Sequence, residues 1–111
     1  MAVSIESIEE LNKYFSGVVK RAEHHAGEVN DIIYPLLGFV ILKSSYIKAR
    51  FYRENPANVL TVEIDNRRYC IMYSHGNECI EIRENNLNGK TLCSFDNSST
   101  IKDIKAFFNN I

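Results

Sequence analysis

After Ser44-Ser45 the apolar residues of this chain stop recurring every three or four positions and begin to alternate, and that switch constrains the fold more than any other feature. A helix brings every third and fourth side chain to one face, whereas a strand brings every second. Upstream of the switch, Ile8, Leu11, Phe15, Val18 and Ala22 make a single stripe within residues 4–26. Val29, Ile32, Ile33, Leu36, Leu37, Val40 and Ile41 make a second over Val29–Lys43. Downstream, Ile47, Ala49 and Phe51 alternate with Lys48, Arg50 and Tyr52, and Leu60, Val62 and Ile64 alternate with Thr61 and Glu63. The pattern predicts an α+β fold: two N-terminal helices packed on a five-stranded antiparallel meander, then a short C-terminal helix.

Local signals place the boundaries. Ser7 with Glu10 makes a capping-box pattern for the first helix, with Ser4 an alternative cap one turn earlier, and Gly27 is a suitable stop. Asn30 or Asp31 can cap the second helix. Pro35 and Gly38 lie off its apolar stripe, so a kink is expected near Tyr34; a buried strand from Leu36 to Leu42 is the competing reading. Asn55-Pro56-Ala57-Asn58 reads as a turn. Asp65-Asn66 suits a two-residue hairpin, because both residue types tolerate positive φ. Pairing outward from it sets Glu63 opposite Arg68, Val62 opposite Tyr69 and Leu60 opposite Ile71. A second turn at His75-Gly76-Asn77-Glu78 sets Tyr73 opposite Ile80 and Ile71 opposite Ile82. A polar loop, Asn85 to Lys90, leads to a last strand at Thr91–Phe95, with Phe95 expected beside Ile82. Ser98, Ser99 or Thr100 then caps a helix bearing Ile101, Ile104, Phe107 and Phe108.

Composition narrows the function classes. The 111 residues suit one domain spanning 1–111, and 45% hydrophobic content with six Phe and six Tyr is enough for a core. A net charge of −1 disfavours nucleic acid and membrane surfaces, both of which need a basic excess. Lys48, Arg50, Arg53, Arg67 and Arg68 are the densest basic group, but Glu54, Glu63, Asp65, Glu81 and Glu84 are interleaved with them, as on a solvated mixed-charge surface. Three cysteines, Cys70, Cys79 and Cys93, do not make a disulfide framework and suit a reducing compartment. No apolar run reaches membrane-spanning length and the N-terminus lacks a signal-peptide pattern, so a cytoplasmic protein is expected.

Few residues suggest chemistry. His24 and His25 point about 100° apart on a helix, so they do not grip one metal from an intact helix, and no metal or cofactor is expected. His25 falls where the first apolar stripe would continue, which suits a core-edge histidine. His75, in a hairpin turn beside Tyr73 and near Glu78, could support proton transfer if a cleft existed there. A speculative ligand-binding set is therefore His24, His25, Tyr73 and His75. The cysteines sit in strands, where most are small buried hydrophobes; Cys70 is set opposite Arg83. No phosphate loop or nucleophile elbow occurs, which leaves enzymatic activity open. The sheet face away from the helices should carry Thr61, Cys70, Met72, Cys79, Glu81 and Arg83. Its centre is too apolar to be fully wet, so the terminal helix, a second subunit or a ligand should cover it. Cys70, Met72, Glu81 and Arg83 are accordingly a speculative self-association face, with Tyr34, Phe39 and Leu42 of the second helix as another.

Several short segments, in this order along the chain, carry a family resemblance. They are Arg21-Ala22-Glu23-His24-His25-Ala26, Val29-Asn30, Asn58-Val59-Leu60, Arg68-Tyr69, Tyr73-Ser74-His75 and Ser94-Phe95. Together they resemble small proteins carried on the mobile gene cassettes of integrons. Members usually have glycine where this chain has Asn66, and a helix-favouring residue where it has Pro35. The resemblance implies an α+β fold of this layout, a cytoplasmic bacterial setting and frequent self-association; it assigns no activity. The expectation is a homo-oligomeric binding protein with a small ligand or protein partner. A small enzyme with a His/Tyr cleft is the alternative, and a nucleic-acid accessory domain is a weaker one.

Overall fold

A computed structural model describes residues 2–4, 8–25, 27–52, 55–74 and 76–111, with 2–4, 24–25, 50–52 and 55–58 described by backbone alone. The elements are β1 (Ala2–Ser4), α1 (Ile8–His25), α2 (Ile33–Lys43), β2 (Tyr46–Tyr52), β3 (Asn55–Ile64), β4 (Arg67–Ser74), β5 (Cys79–Glu84), β6 (Thr91–Phe95) and α3 (Ile101–Asn109). The two helices, the five-strand meander and the terminal helix are all present as the period switch predicts. A sixth strand, β1, lies at the edge beside β2, with Val3 opposite Ala49. The first helix accordingly begins at Ile8 rather than residue 4, and Ser4 is a strand residue, not a cap. Ser7 lies outside the described residues.

The hairpin registers follow from side-chain chemistry. Glu63 pairs with Arg68, Val62 with Tyr69 and Leu60 with Ile71; Ile71 pairs with Ile82 and Tyr73 with Ile80. Asp65 (φ 51°) and Asn66 (φ 67°) both take the left-handed conformation that a twisted two-residue hairpin requires. The last strand differs from expectation by two residues. Phe95 pairs with Ile80, and Ile82 with Cys93, and a one-residue irregularity follows between Ile82 and Arg83. A two-residue slip preserves the face, so Phe95 still points into the core.

Helix α2 is a helix, not the alternative strand. Pro35 is its third residue, one of the four N-terminal positions whose N–H has no acceptor within a helix, so proline costs little there. The helix begins four residues later than its apolar pattern suggests, because Gly27 to Ile32 form turns in which Val29 and Ile32 are nevertheless buried. Neither Asn30 nor Asp31 caps it: position Ile32 has no side-chain cap of its own. In α3, the Thr100 hydroxyl accepts from the Asp103 amide (3.1 Å) and the Asp103 carboxylate accepts from the Thr100 amide (2.8 Å), a complete capping box.

One apolar cluster joins the helices to one face of the sheet. It contains Tyr14, Phe15 and Ala22 of α1, Leu36 and Val40 of α2, Ile104 and Phe108 of α3, and Leu60, Val62, Tyr69, Ile71, Ile80, Ile82 and Phe95 of the strands. Tyr14 lies off the predicted stripe and is buried because its hydroxyl donates to the Val59 carbonyl of β3 (3.1 Å). Phe108 stacks on Phe39 of α2 (5.7 Å), and Phe107 meets Phe95 edge-on (6.1 Å). The terminal helix therefore joins the helical side and does not cover the opposite face.

Candidate functional site

Strand alternation puts Val59, Thr61, Cys70, Met72, Cys79, Glu81 and Arg83 on the face opposite the core. Cys70 pairs with Arg83, and Met72 with Glu81. Cys70 and Cys79 are buried yet lie outside the main apolar cluster. Cys70 lines a concavity whose other wall is the chain's own Asn85–Asn88 segment.

That loop is anchored by a charged group inside the face. Glu81 is only 4% exposed. Its Oε1 accepts from Arg83 Nη2 (2.7 Å) and Nε (3.1 Å), and its Oε2 accepts from Asn77 Nδ2 (3.0 Å). Arg83, with Asn77 after it, holds the Glu81 carboxyl below its ordinary value against the opposing effect of burial. The remaining arm of Arg83 donates through Nη1 to the Leu87 carbonyl in the loop. The loop also closes on itself: the Glu84 amide donates to the Lys90 carbonyl (2.9 Å), Gly89 to Asn86 (2.9 Å), and Asn85 reaches back to the Arg68 carbonyl (2.9 Å). Asn85 is left-handed (φ 68°). Gly89 is required for a different reason: a Cβ there would sit 1.7 Å from the Glu84 carbonyl oxygen.

Between this loop and strands β2 to β4 lies a half-open cleft of about 500 Å³. Cys70 and Thr61 belong to its strand side, with Tyr46, Lys48, Glu63 and Arg68, and Asn85, Asn86, Leu87 and Asn88 form the loop wall. Arg68 and Glu63 approach to 3.8 Å across exposed surface, a pair worth less than about 1 kcal/mol and readily broken by a better partner. Two cations, one carboxylate, three amides and an aromatic ring thus converge on one concavity. The volume falls in the usual range for small-molecule sites.

The residues singled out from sequence divide into two places. Cys70, Met72, Glu81 and Arg83 share the outer face as expected, but Glu81 and Arg83 are consumed by each other and by the loop. Tyr73 is on the other face, packed against the core, where burial first and then Glu28, Glu78 and Cys79 raise its hydroxyl pKa. The side chains of His24 and His25, and all of His75, lie outside the described residues. Burial likewise pushes the Cys79 and Cys93 thiols up, and none of the three cysteines is in a disulfide. Among the described residues no three His, Cys, Asp or Glu side chains gather as a metal site, and no helix is long and apolar enough to cross a membrane.

Sequence reasoning missed the loop wall. Its signals were a lone apolar Leu87 amid three asparagines and a glycine, Asn85-Asn86-Leu87-Asn88-Gly89, a composition that reads as a solvated turn until Arg83 is seen to grip it. In comparison with known proteins, the family model described as integron cassette protein VCH_CASS1 chain matches residues 11–105. No curated protein matches the chain.

Proposed function

The chain belongs to the integron cassette protein family, and from that premise we propose that it works as a self-associating binding protein whose outer-face cleft takes a small organic anion. The observation that carries the reading is the built wall of the cleft. A half-buried ion pair, a glycine without which the loop cannot close, and a set of main-chain hydrogen bonds hold the Asn85–Asn88 wall of a cleft that Lys48 and Arg68 also line. Fixed polar groups bind without the ordering cost that a mobile loop incurs. The lysine and arginine favour a carboxylate, the exposed ring of Tyr46 favours a flat apolar body, and the loop amides supply directional contacts. Three unbridged thiols suit a reducing cytoplasm. The alternative of a His/Tyr enzyme gains nothing from Tyr73, which packs against the core and does not line the cleft.

The test is a nitrogen-15 amide titration with benzoate and, separately, with uncharged benzamide. Benzoate should move the amides of residues 46–48, 61, 68–70 and 85–88, and benzamide should move them far less. Lys48→Ala should weaken benzoate about tenfold, the size of a charge-assisted hydrogen bond. Gly89→Ala should weaken it too, by displacing the wall without touching a cation. Equal responses to the two probes, or shifts scattered over the helices, would remove the cleft from consideration.

A further inference from the structure

Helix α2 is apolar on two sides. Ile33, Leu36, Leu37 and Val40 point into the core. Tyr34, Gly38, Ile41 and Leu42 form a second stripe at steps of four, seven and eight residues, and they face outward: Tyr34 is 54% exposed, Ile41 47% and Leu42 75%. A helix at a protein surface ordinarily carries charge on that side. In α2 the only charged residue is the terminal Lys43.

Two details give the stripe a shape. The space beside Gly38 is open, with nothing within 4 Å of where a Cβ would stand, so the middle of the stripe is a shallow notch at backbone level. At one end the Tyr34 ring is held in place, because its hydroxyl donates to Glu23 Oε1 at 2.6 Å. A fixed aromatic ring loses little freedom on docking, which is why such residues anchor interfaces.

We infer that this stripe is the contact face of a two-fold dimer in which α2 crosses its symmetry mate antiparallel at Gly38. The inference rests on the self-association proposed above and names its surface. A two-fold contact must be self-complementary. An axis through Gly38 lays Tyr34 against the partner's Leu42 and the reverse, so a rigid ring meets an exposed aliphatic group twice. The charges select the direction. Glu23 and Asp31 lie at the N-terminal end of the stripe and Lys43 at the other, so antiparallel crossing brings unlike ends together and parallel crossing brings like ends together. An eleven-residue helix is about 16 Å long, and a stable pair needs roughly 1,000 Å² in all, so neighbouring surface of the helical layer joins the contact.

Sedimentation equilibrium on the full chain tests this, with far-UV circular dichroism as the folding control. The wild type should be dimeric at tens of micromolar. Gly38→Leu fills the notch, meets open space in the protomer and improves helix propensity, so it should leave the fold intact while weakening the dimer about a hundredfold, the scale of a hot-spot contact. Leu42→Glu should do the same. Met72→Glu, on the outer sheet face, should leave the dimer unchanged. A dimer that survives both α2 variants but splits with Met72→Glu overturns the α2 assignment and leaves self-association standing. A strictly monomeric wild type, including one whose stripe serves a different protein, overturns both.

Discussion

A single side chain decides how the helical layer meets the end of the sheet. The Asn97 Oδ1 accepts from the amides of Asp31 (2.9 Å) and Ile32 (3.0 Å), which are orphan donors at the start of α2. Its Nδ2 donates to the Gly27 carbonyl (2.9 Å) and to Asn30 Oδ1 (2.8 Å), and its own amide donates to the Glu28 carbonyl (2.7 Å). Asn97 is thus the N-cap that α2 lacks locally, delivered from the far end of the chain. Asn97→Ala should cost about 2 kcal/mol, the loss of a cap plus unsatisfied amides, measured as a lower urea midpoint. Asn97→Asp keeps the acceptor and loses the side-chain donors, so it should fall between the two. If Asn97→Ala unfolds at the wild-type midpoint, the clamp has no energetic role. None of this was legible beforehand, since an asparagine in a polar turn looks the same whether or not a helix start lies across from it. Cap candidates Asn30 and Asp31 were plausible by type, and the backbone simply turned before them.

At the scale of elements, legibility tracks how local the determining interactions are. The β3–β4 hairpin was readable to the residue because Asp65-Asn66 fixes the turn and apolar and charged partners agree on one register. Strand β1 was not readable, because three residues become a strand only by pairing with β2 some forty-five positions later. The slip of Phe95 to Ile80 belongs to the same class: β6 joins β5 through a loop rather than a tight turn, so no local signal fixes their register. Helix α3 was readable in place and extent, but its partner was not. Its amphipathic face fits any apolar surface, and the rings of Phe39 and Phe95 settled which one. Phe108→Ala should therefore cost about 3–5 kcal/mol, the cost of a large buried ring, and should raise amide exchange in α3. Protection of residues 101–109 as in the wild type would mean that the aromatic stack does not dock the helix.

The whole molecule has a dry face under three helices and an outer face governed by one buried carboxylate, and acid should act on the second. Glu81 titrates below its ordinary value of 4.5 in the folded protein, so it stabilises the fold above about that pH. The contribution disappears as pH falls through the lower folded value. Asp96, held down by the Ser98 hydroxyl and amide, acts in the same direction. Stability should stay level from pH 7 to 5 and then fall, and Glu81→Gln should flatten the part of the fall that Glu81 owns. An unchanged acid limb in Glu81→Gln would assign the fall to other carboxylates. The sequence by itself determined the helix-on-sheet layout, the order of the five meander strands and the faces of the β3, β4 and β5 residues, because periods of 3.6 and 2 are local properties that any core must respect. Tertiary structure alone decided which asparagine caps α2, which loop lies across the cleft from Cys70, and that Arg83 ties the buried Glu81 to that loop. Those outcomes depend on groups distant in sequence meeting at hydrogen-bond range, and no pattern along a chain records a distance in space.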